Sequence, residues 1–431
     1  MIATDVYSAQ APAIFEEFKA EIGENSWLAP ARQFLEHTRR NSFLRDYYLT
    51  AHALTFELKR CSEAAEQYGG LYPWSVSHYG LERAVAFMVQ SLSLLRAMPP
   101  KGRAGYVGRL RDALRRSAAM RGLLLEMSVA THFARKGHSV VWPELQLSHE
   151  AVKGHTFDIF VEDIGGAGLE VECKSVADDK GRVLQKEAVL KFSEVLRKEL
   201  AGVSGTLNGG LVVVLTVPDQ LPTSLNQQKD LAANVRRAVV SDTSETLPTG
   251  EQIRVEPFPI SRLLGAGVVA DNESTRAVVD SITGTRNRSI VVMGRRNVGA
   301  IVVVLQSAKA DTLLDAIERT ARTARHQLSE TRPAMIVLGF DGIESEQLAE
   351  IAKQDSTSGL PPTVLAQAAS SILGAAHCQH IISVGFVSST KAPRRDEKGD
   401  ITFGGVAYNF PNKGSPHWHA DFARLFTLGR A

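Results

Sequence analysis

Apolar residues recur at three- and four-residue intervals through residues 1 to 100, in "APAIFEEFKAEIG", "FLRDYYLTAHALTFELKRC" and "GLERAVAFMVQSLSLLRAM". That spacing predicts amphipathic helices. "MPPKGRAG" interrupts it with two prolines and two glycines, the punctuation of a boundary. Helical spacing resumes from Gly108 to Arg135, and "KGHSVVWPEL" then reads as a helix stop followed by a strand. Beyond it the period shortens. "FDIFVEDIGGAGLEVECKS" (157–175) reads as two strands around a glycine turn, followed by a polar helix in "KGRVLQKEAVLKFSEVLRKEL", an apolar strand "GGLVVVLTV" and a helix near 224 to 240. Further strands follow in "EQIRVEPF", "SIVVMGRR", "GAIVVVLQS", "AMIVLGF" and "HIISVGFVS", with a helix in "DTLLDAIERTARTARHQL". The pattern predicts an α/β chain in three parts. These are a helical domain over 1–100, a mixed-sheet core over 101–245 and an α/β region over 246–431 that extends the same sheet. The hairpin at 289–307 repeats the length of the one at 157–175 and reads as a degenerate duplicate of it or, in better accord with the near absence of identities, as another hairpin extending the same sheet.

Composition narrows the class without naming a function. A chain of 431 residues with 44% hydrophobic and 22% charged residues has the balance of a globular protein and room for more than one core. Its apolar runs fall short of the roughly 20 residues that span a bilayer, and MIATDVYSAQ has no basic segment leading into an apolar one. A cytoplasmic protein with no membrane partner is expected. Three scattered cysteines, Cys61, Cys173 and Cys378, suggest neither a disulfide framework nor a zinc module. A net charge of +2 selects no partner. No Walker sequence or nucleophile elbow is present, which argues against a built-in ATP motor and a serine hydrolase.

The hairpin at 157–175 is anomalous, because Asp158, Glu170, Glu172 and Lys174 interrupt its apolar runs. Side chains alternate along a strand, so Glu170, Glu172 and Lys174 share one face and Cys173 takes the other. With the turn near Gly165, Asp158 falls opposite Glu172, at a separation of about 5 Å. Two such carboxylates repel unless a cation lies between them, and their hard oxygens suit Mg²⁺ or Mn²⁺. Lys174 points to the same place, where an ammonium can orient a water or offset charge developing on a phosphate. The plain alternative is a solvated edge hairpin with a surface ion pair. The triplet alone carries little information, since Glu17-Phe18-Lys19, Glu57-Leu58-Lys59, Asp178-Asp179-Lys180 and Asp396-Glu397-Lys398 repeat it. Only Glu172-Cys173-Lys174 combines a strand, an upstream aspartate and a glycine turn.

This arrangement resembles the PD-(D/E)XK, or restriction-endonuclease-like, nuclease superfamily over residues 117 to 245. Asp158 matches the lone aspartate and Glu172-Cys173-Lys174 the (D/E)XK triplet, while Phe157 stands in place of the proline. The resemblance implies that Glu126, on the preceding helix, supports the metal and that the Cys173 carbonyl is a further ligand. It implies a metal-dependent endonuclease hydrolysing phosphodiester bonds, of DNA ahead of RNA, with Asp158, Glu172, Lys174 and Glu126 as catalytic residues. The competing reading is an inactive module that keeps the fold to bind nucleic acid or protein, and a third is a metal enzyme acting on a small phosphate ester. Charge gives the first some support. Between 101 and 121, Lys101, Arg103, Arg109, Arg111, Arg115, Arg116 and Arg121 stand against Asp112 alone. Arg109, Arg115, Arg116 and Arg121 are therefore expected to contact phosphates. Arg319, Arg322 and Arg325 form a second row at helical spacing, with Arg286, Arg288, Arg295 and Arg296 near it in sequence. A second copy of the chain is left open as a partner.

Overall fold

The computed structural model describes residues 2–145, 152, 155–177, 179–261, 280–281, 283–284, 289–295, 298–388, 394–395, 401–402 and 406–425. Arg286, Arg288 and Arg296 and the triplet Asp396-Glu397-Lys398 lie outside the described residues. The chain is α/β, as expected, with a helical N-terminal region and two mixed sheets.

The helical region comprises α1 (Ala11–Ile22), α2 (Asn25–Arg40), α3 (Leu44–Ala51), α4 (Ala53–Tyr68), α5 (Pro73–Tyr79), α6 (Glu82–Ala97), α7 (Pro100–Ala113) and α8 (Ser117–Arg135). The predicted three- and four-residue spacing is realised in their buried faces. Phe15, Phe18 and Ile22 of α1, for example, share a core with Leu58 of α4 and Phe87 and Met88 of α6. The chain then forms β1 (Val140–Val141), β2 (Ile159–Val161) and β3 (Leu169–Val176). Next come α9 (Lys186–Thr206), β4 (Gly209–Val217), α10 (Leu225–Ser241), β5 (Glu245–Thr246), β6 (Gln252–Phe258), β7 (Ser289–Arg295) and β8 (Gly299–Ser307). The last stretch holds α11 (Leu313–Arg325), β9 (Ala334–Phe340), α12 (Ser345–Ser356), α13 (Val364–Leu373), β10 (Ile381–Ser388) and β11 (Ala407–Pro411). Among the described residues, no helix is long and apolar enough to cross a membrane.

Contacts divide the chain into two compact units, and not at the expected boundaries of 100 and 245. One unit holds 1–34, 49–180 and 314–431, and the other holds 35–48 and 181–313. The physical reason lies in strand pairing. The first unit's sheet has the order β1-β2-β3-β9-β10-β11, so β3 pairs in parallel with β9, far along the chain. The apolar strand that follows β3 in sequence, β4, belongs to the second unit's sheet, ordered β5-β6-β4-β8-β7. The hairpin at 289–307 lies there too, as β7 and β8, and does not extend the first sheet. Most of the second unit, residues 181–313, is thus inserted between β3 and α11.

The first sheet is buried on both faces, which is why β9 reads as an unbroken apolar run. Met335 and Val337 enter a core shared with the N-terminal helices. Ile336, Leu338 and Phe340 enter another with Ile317 and Ala321 of α11, Leu348 of α12 and Leu365 and Ala368 of α13. In the second unit, Phe192 and Leu196 of α9 and Val235 of α10 pack on Val213, Leu215, Ile301 and Val303 of its sheet.

Candidate active site

The β2–β3 hairpin has the register expected from its sequence. Ile159 faces Val171, Phe160 faces Glu170 and Val161 faces Leu169, which continues to Asp158 opposite Glu172. The turn depends on glycine. Gly165 and Gly168 have φ of +67° and +77°, and a Cβ at Gly168 would lie 2.3 Å from the Phe160 ring. Alternation along β3 sends Leu169, Val171 and Cys173 into the core beneath the N-terminal helices. Glu170, Glu172 and Lys174 take the opposite side.

β3 is an inner strand between β2 and β9, and Glu170 and Glu172 are both 0% exposed. The alternative of a solvated edge hairpin is thereby removed. Burying a carboxylate costs several kcal/mol unless it is compensated, and the two glutamates are compensated differently. Glu170 accepts hydrogen bonds from the N–H of Ser329 at 2.8 Å and from its hydroxyl, with Arg332 at 3.8 Å. It is a structural anchor for the loop between α11 and β9.

Among the described residues, Glu172 Oε2 accepts only the Asp158 N–H, at 3.2 Å, and Oε1 lies against the Lys174 ammonium without a well-angled hydrogen bond. Asp158 Oδ2 in turn accepts the Cys173 N–H at 2.8 Å. Burial, and then the Asp158 charge, pushes the Glu172 carboxyl up to about 8 against the opposing pull of Lys174. Burial raises the Asp158 carboxyl too, although the Cys173 N–H and the charges of Lys174 and Arg109 counter it. The Cys173 thiol is buried and pushed well above its ordinary range, so it is packed and not reactive.

Glu126 reaches this centre from α8. Leu125 packs against Gly339 of β9 so closely that a Cβ there would come within 2.8 Å of its methyl groups. This close approach seats the helix on the sheet. Glu126 is 4% exposed and ion-paired with Arg109, while its Oε2 has no hydrogen-bond partner among the described residues. Burial and then the Asp158 charge raise its carboxyl to about 8, with Arg109 pulling the other way.

The structure therefore brings Asp158, Glu172 and Lys174 together and sets Glu126 within electrostatic reach of Asp158. Its arrangement of the four arginines differs from the expected phosphate-binding face. Arg109 lies half-buried between Glu126 and Glu144, the latter at 3.6 Å. Arg116 pairs with Asp112, and Arg121 with Asp341 at 3.5 Å. Only Arg115 of the set is exposed without an ion pair among the described residues. Arg319 and Arg322 on α11 are exposed and likewise unpaired, whereas Arg325 pairs with Glu330 at 3.7 Å. One polar residue escaped the sequence reading. Gln327, just after α11, accepts a hydrogen bond from Lys174 Nζ and donates one to the Thr156 carbonyl at 3.1 Å. It lies 153 positions from Lys174 in a polar loop, with no local signal to mark it.

The donor set suits a hard divalent cation in part. The orphaned Glu126 Oε2 and the incompletely satisfied Glu172 Oε1 are oxygens whose burial a cation would compensate. Among the described residues, however, no three His, Cys, Asp or Glu side chains are clustered as a ligand set, and Glu126 Oε1 is paired with Arg109. No protein-family model, curated protein or solved structure matches this chain.

Proposed function

We propose that this chain is a cytoplasmic, metal-dependent endonuclease resembling the PD-(D/E)XK superfamily, which hydrolyses phosphodiester bonds of nucleic acid, DNA ahead of RNA. One observation carries the reading: two facing carboxylates, Asp158 and the fully buried Glu172, share a site with the Lys174 ammonium on an inner strand. Fold stability does not call for such a set, since apolar residues at these positions avoid the desolvation cost. Buried groups with strongly displaced protonation concentrate at functional sites. Asp158 and Glu172 would hold Mg²⁺ or Mn²⁺, with Glu126 in support and the Cys173 carbonyl as the further ligand the resemblance implies. Such a cation, when bound, would supply Lewis-acid polarisation of phosphate and water. Lys174, beside Glu172, orients the attacking water and offsets the negative charge that develops on the phosphate. Arg115, Arg319 and Arg322 have the exposure needed for contact with a phosphate backbone.

A second reading, an inactive module of the same fold that binds nucleic acid or protein, draws on the ion pairs. Arg109 and Lys174 already lie against Glu126 and Glu172 and offset part of the cost of burying them without a metal. Lys174→Ala separates the two. In the nuclease it keeps nucleic-acid and Mn²⁺ binding but loses on the order of a hundredfold in single-turnover cleavage. An unaltered rate would overturn the assignment of Lys174 to the chemistry.

A further inference from the structure

We infer that Gln327 is the positioning residue for Lys174, holding the ammonium at the site and tying it to the segment, just before β2, that carries Asp158. The inference rests on the nuclease reading above and extends it to a residue in the loop between α11 and β9. The orientation of the Gln327 amide is fixed by its partners. The Thr156 carbonyl can only accept, so Nε2 faces it at 3.1 Å. The lysine ammonium can only donate, so Oε1 faces Lys174. Thr156 is two residues before Asp158, so one side chain links the sequence neighbourhoods of the aspartate and the lysine.

Lys174 has two partners, the ion-paired Glu172 and the hydrogen-bonded Gln327, and they differ in kind. Glu172 is a titrating carboxyl against the ammonium and, in the proposed enzyme, would itself be a metal ligand. Gln327 is uncharged. It fixes the end of a flexible four-carbon chain without consuming the charge that the reaction uses. The loop has further ties besides this side chain. Ser329 holds Glu170, Glu170 donates its N–H to the Pro333 carbonyl at 3.0 Å, and the Thr156 hydroxyl donates to the Gln327 main-chain carbonyl at 3.4 Å. Removing the amide should therefore free Lys174 while the loop stays in place.

The test compares wild type, Gln327→Ala, Lys174→Ala and the double variant in single-turnover cleavage at saturating Mg²⁺. Gln327→Ala should slow cleavage about tenfold, the worth of one hydrogen bond to a charged group, with Mn²⁺ and substrate affinity unchanged. In the double variant the Gln327→Ala loss should vanish, because a positioning residue has nothing to position once Lys174 is gone. A second readout needs no activity. In chelator-treated protein, acetylation of Lys174 by acetic anhydride, followed by peptide mass spectrometry, should be faster in Gln327→Ala, with Lys180 and Lys186 unchanged. An additive loss in the double variant, or unchanged Lys174 acetylation, would overturn the inference. Absence of any Mg²⁺-dependent cleavage by wild type would remove the nuclease reading and this inference together. Normal cleavage by Gln327→Ala would remove the inference alone.

Discussion

Replacing Glu172 by Gln in the metal-free protein should change how stability depends on pH. Glu172 is 0% exposed, and its carboxyl is raised from 4.5 to about 8 by burial and by the charge of Asp158. Over that interval the folded chain holds a proton that the unfolded chain has released. The stability linked to this proton is fully present below the unfolded value and is lost as pH rises through the folded one. Each proton contributes a slope of at most about 1.4 kcal/mol per pH unit. Glutamine has the same shape, can accept the Asp158 N–H and does not titrate. The variant should therefore gain on wild type as pH rises, by about 2 to 3 kcal/mol between about pH 5.5 and about pH 7.5. Urea unfolding in chelator, followed by tryptophan fluorescence, measures it. Trp27, Trp74, Trp142 and Trp418 are the only tryptophans and all belong to the unit that carries the site. Parallel stability curves for the two proteins would refute the reasoning, since Glu172 would then already be ionised or solvated.

Two further predictions separate structural from functional charges. Glu170→Ala should cost about 2 to 4 kcal/mol in the same urea assay, because it strands the Ser329 donors and Arg332, and isothermal titration should find Mn²⁺ affinity unchanged; a loss of metal affinity with normal stability would place Glu170 among the ligands instead. Arg319→Ala with Arg322→Ala should weaken DNA binding and reduce the slope of log K against log salt by about two, whereas Arg116→Ala, whose partner is Asp112, should change it little. Fluorescence anisotropy across a salt series decides between them.

The hairpin was legible because its information is local. Alternation, a glycine turn and a short connection set the register of Asp158 against Glu172 and sent Cys173 to the opposite face. The helical region was legible for the same reason, through the spacing of residues such as Phe15, Phe18 and Ile22. Pairing between distant strands leaves no such mark. "GGLVVVLTV" and "AMIVLGF" have equally apolar character, and nothing in either states that only the second lies beside β3. The insertion of 181–313 therefore went unseen, and with it the domain boundaries and the sheet of the hairpin at 289–307. Charge runs misled in a related way. Arg109 and Arg121 look free in a basic stretch, but their carboxylate partners, Glu126 and Asp341, come from other elements. Gln327 was hidden by both effects, being an ordinary polar residue made specific by a distant partner.

The central claim is that the Asp158–Glu172–Lys174 centre hydrolyses phosphodiester bonds with a divalent metal. Purified protein incubated with duplex DNA, single-stranded DNA and RNA, in Mg²⁺ and in excess chelator, tests it most directly. The account predicts cleavage of at least one substrate, DNA first, that requires Mg²⁺ or Mn²⁺ and is abolished by Asp158→Ala in a protein that still folds. Cleavage that persists in chelator or in Asp158→Ala, or no cleavage of any of the three in Mg²⁺ or Mn²⁺, would contradict it.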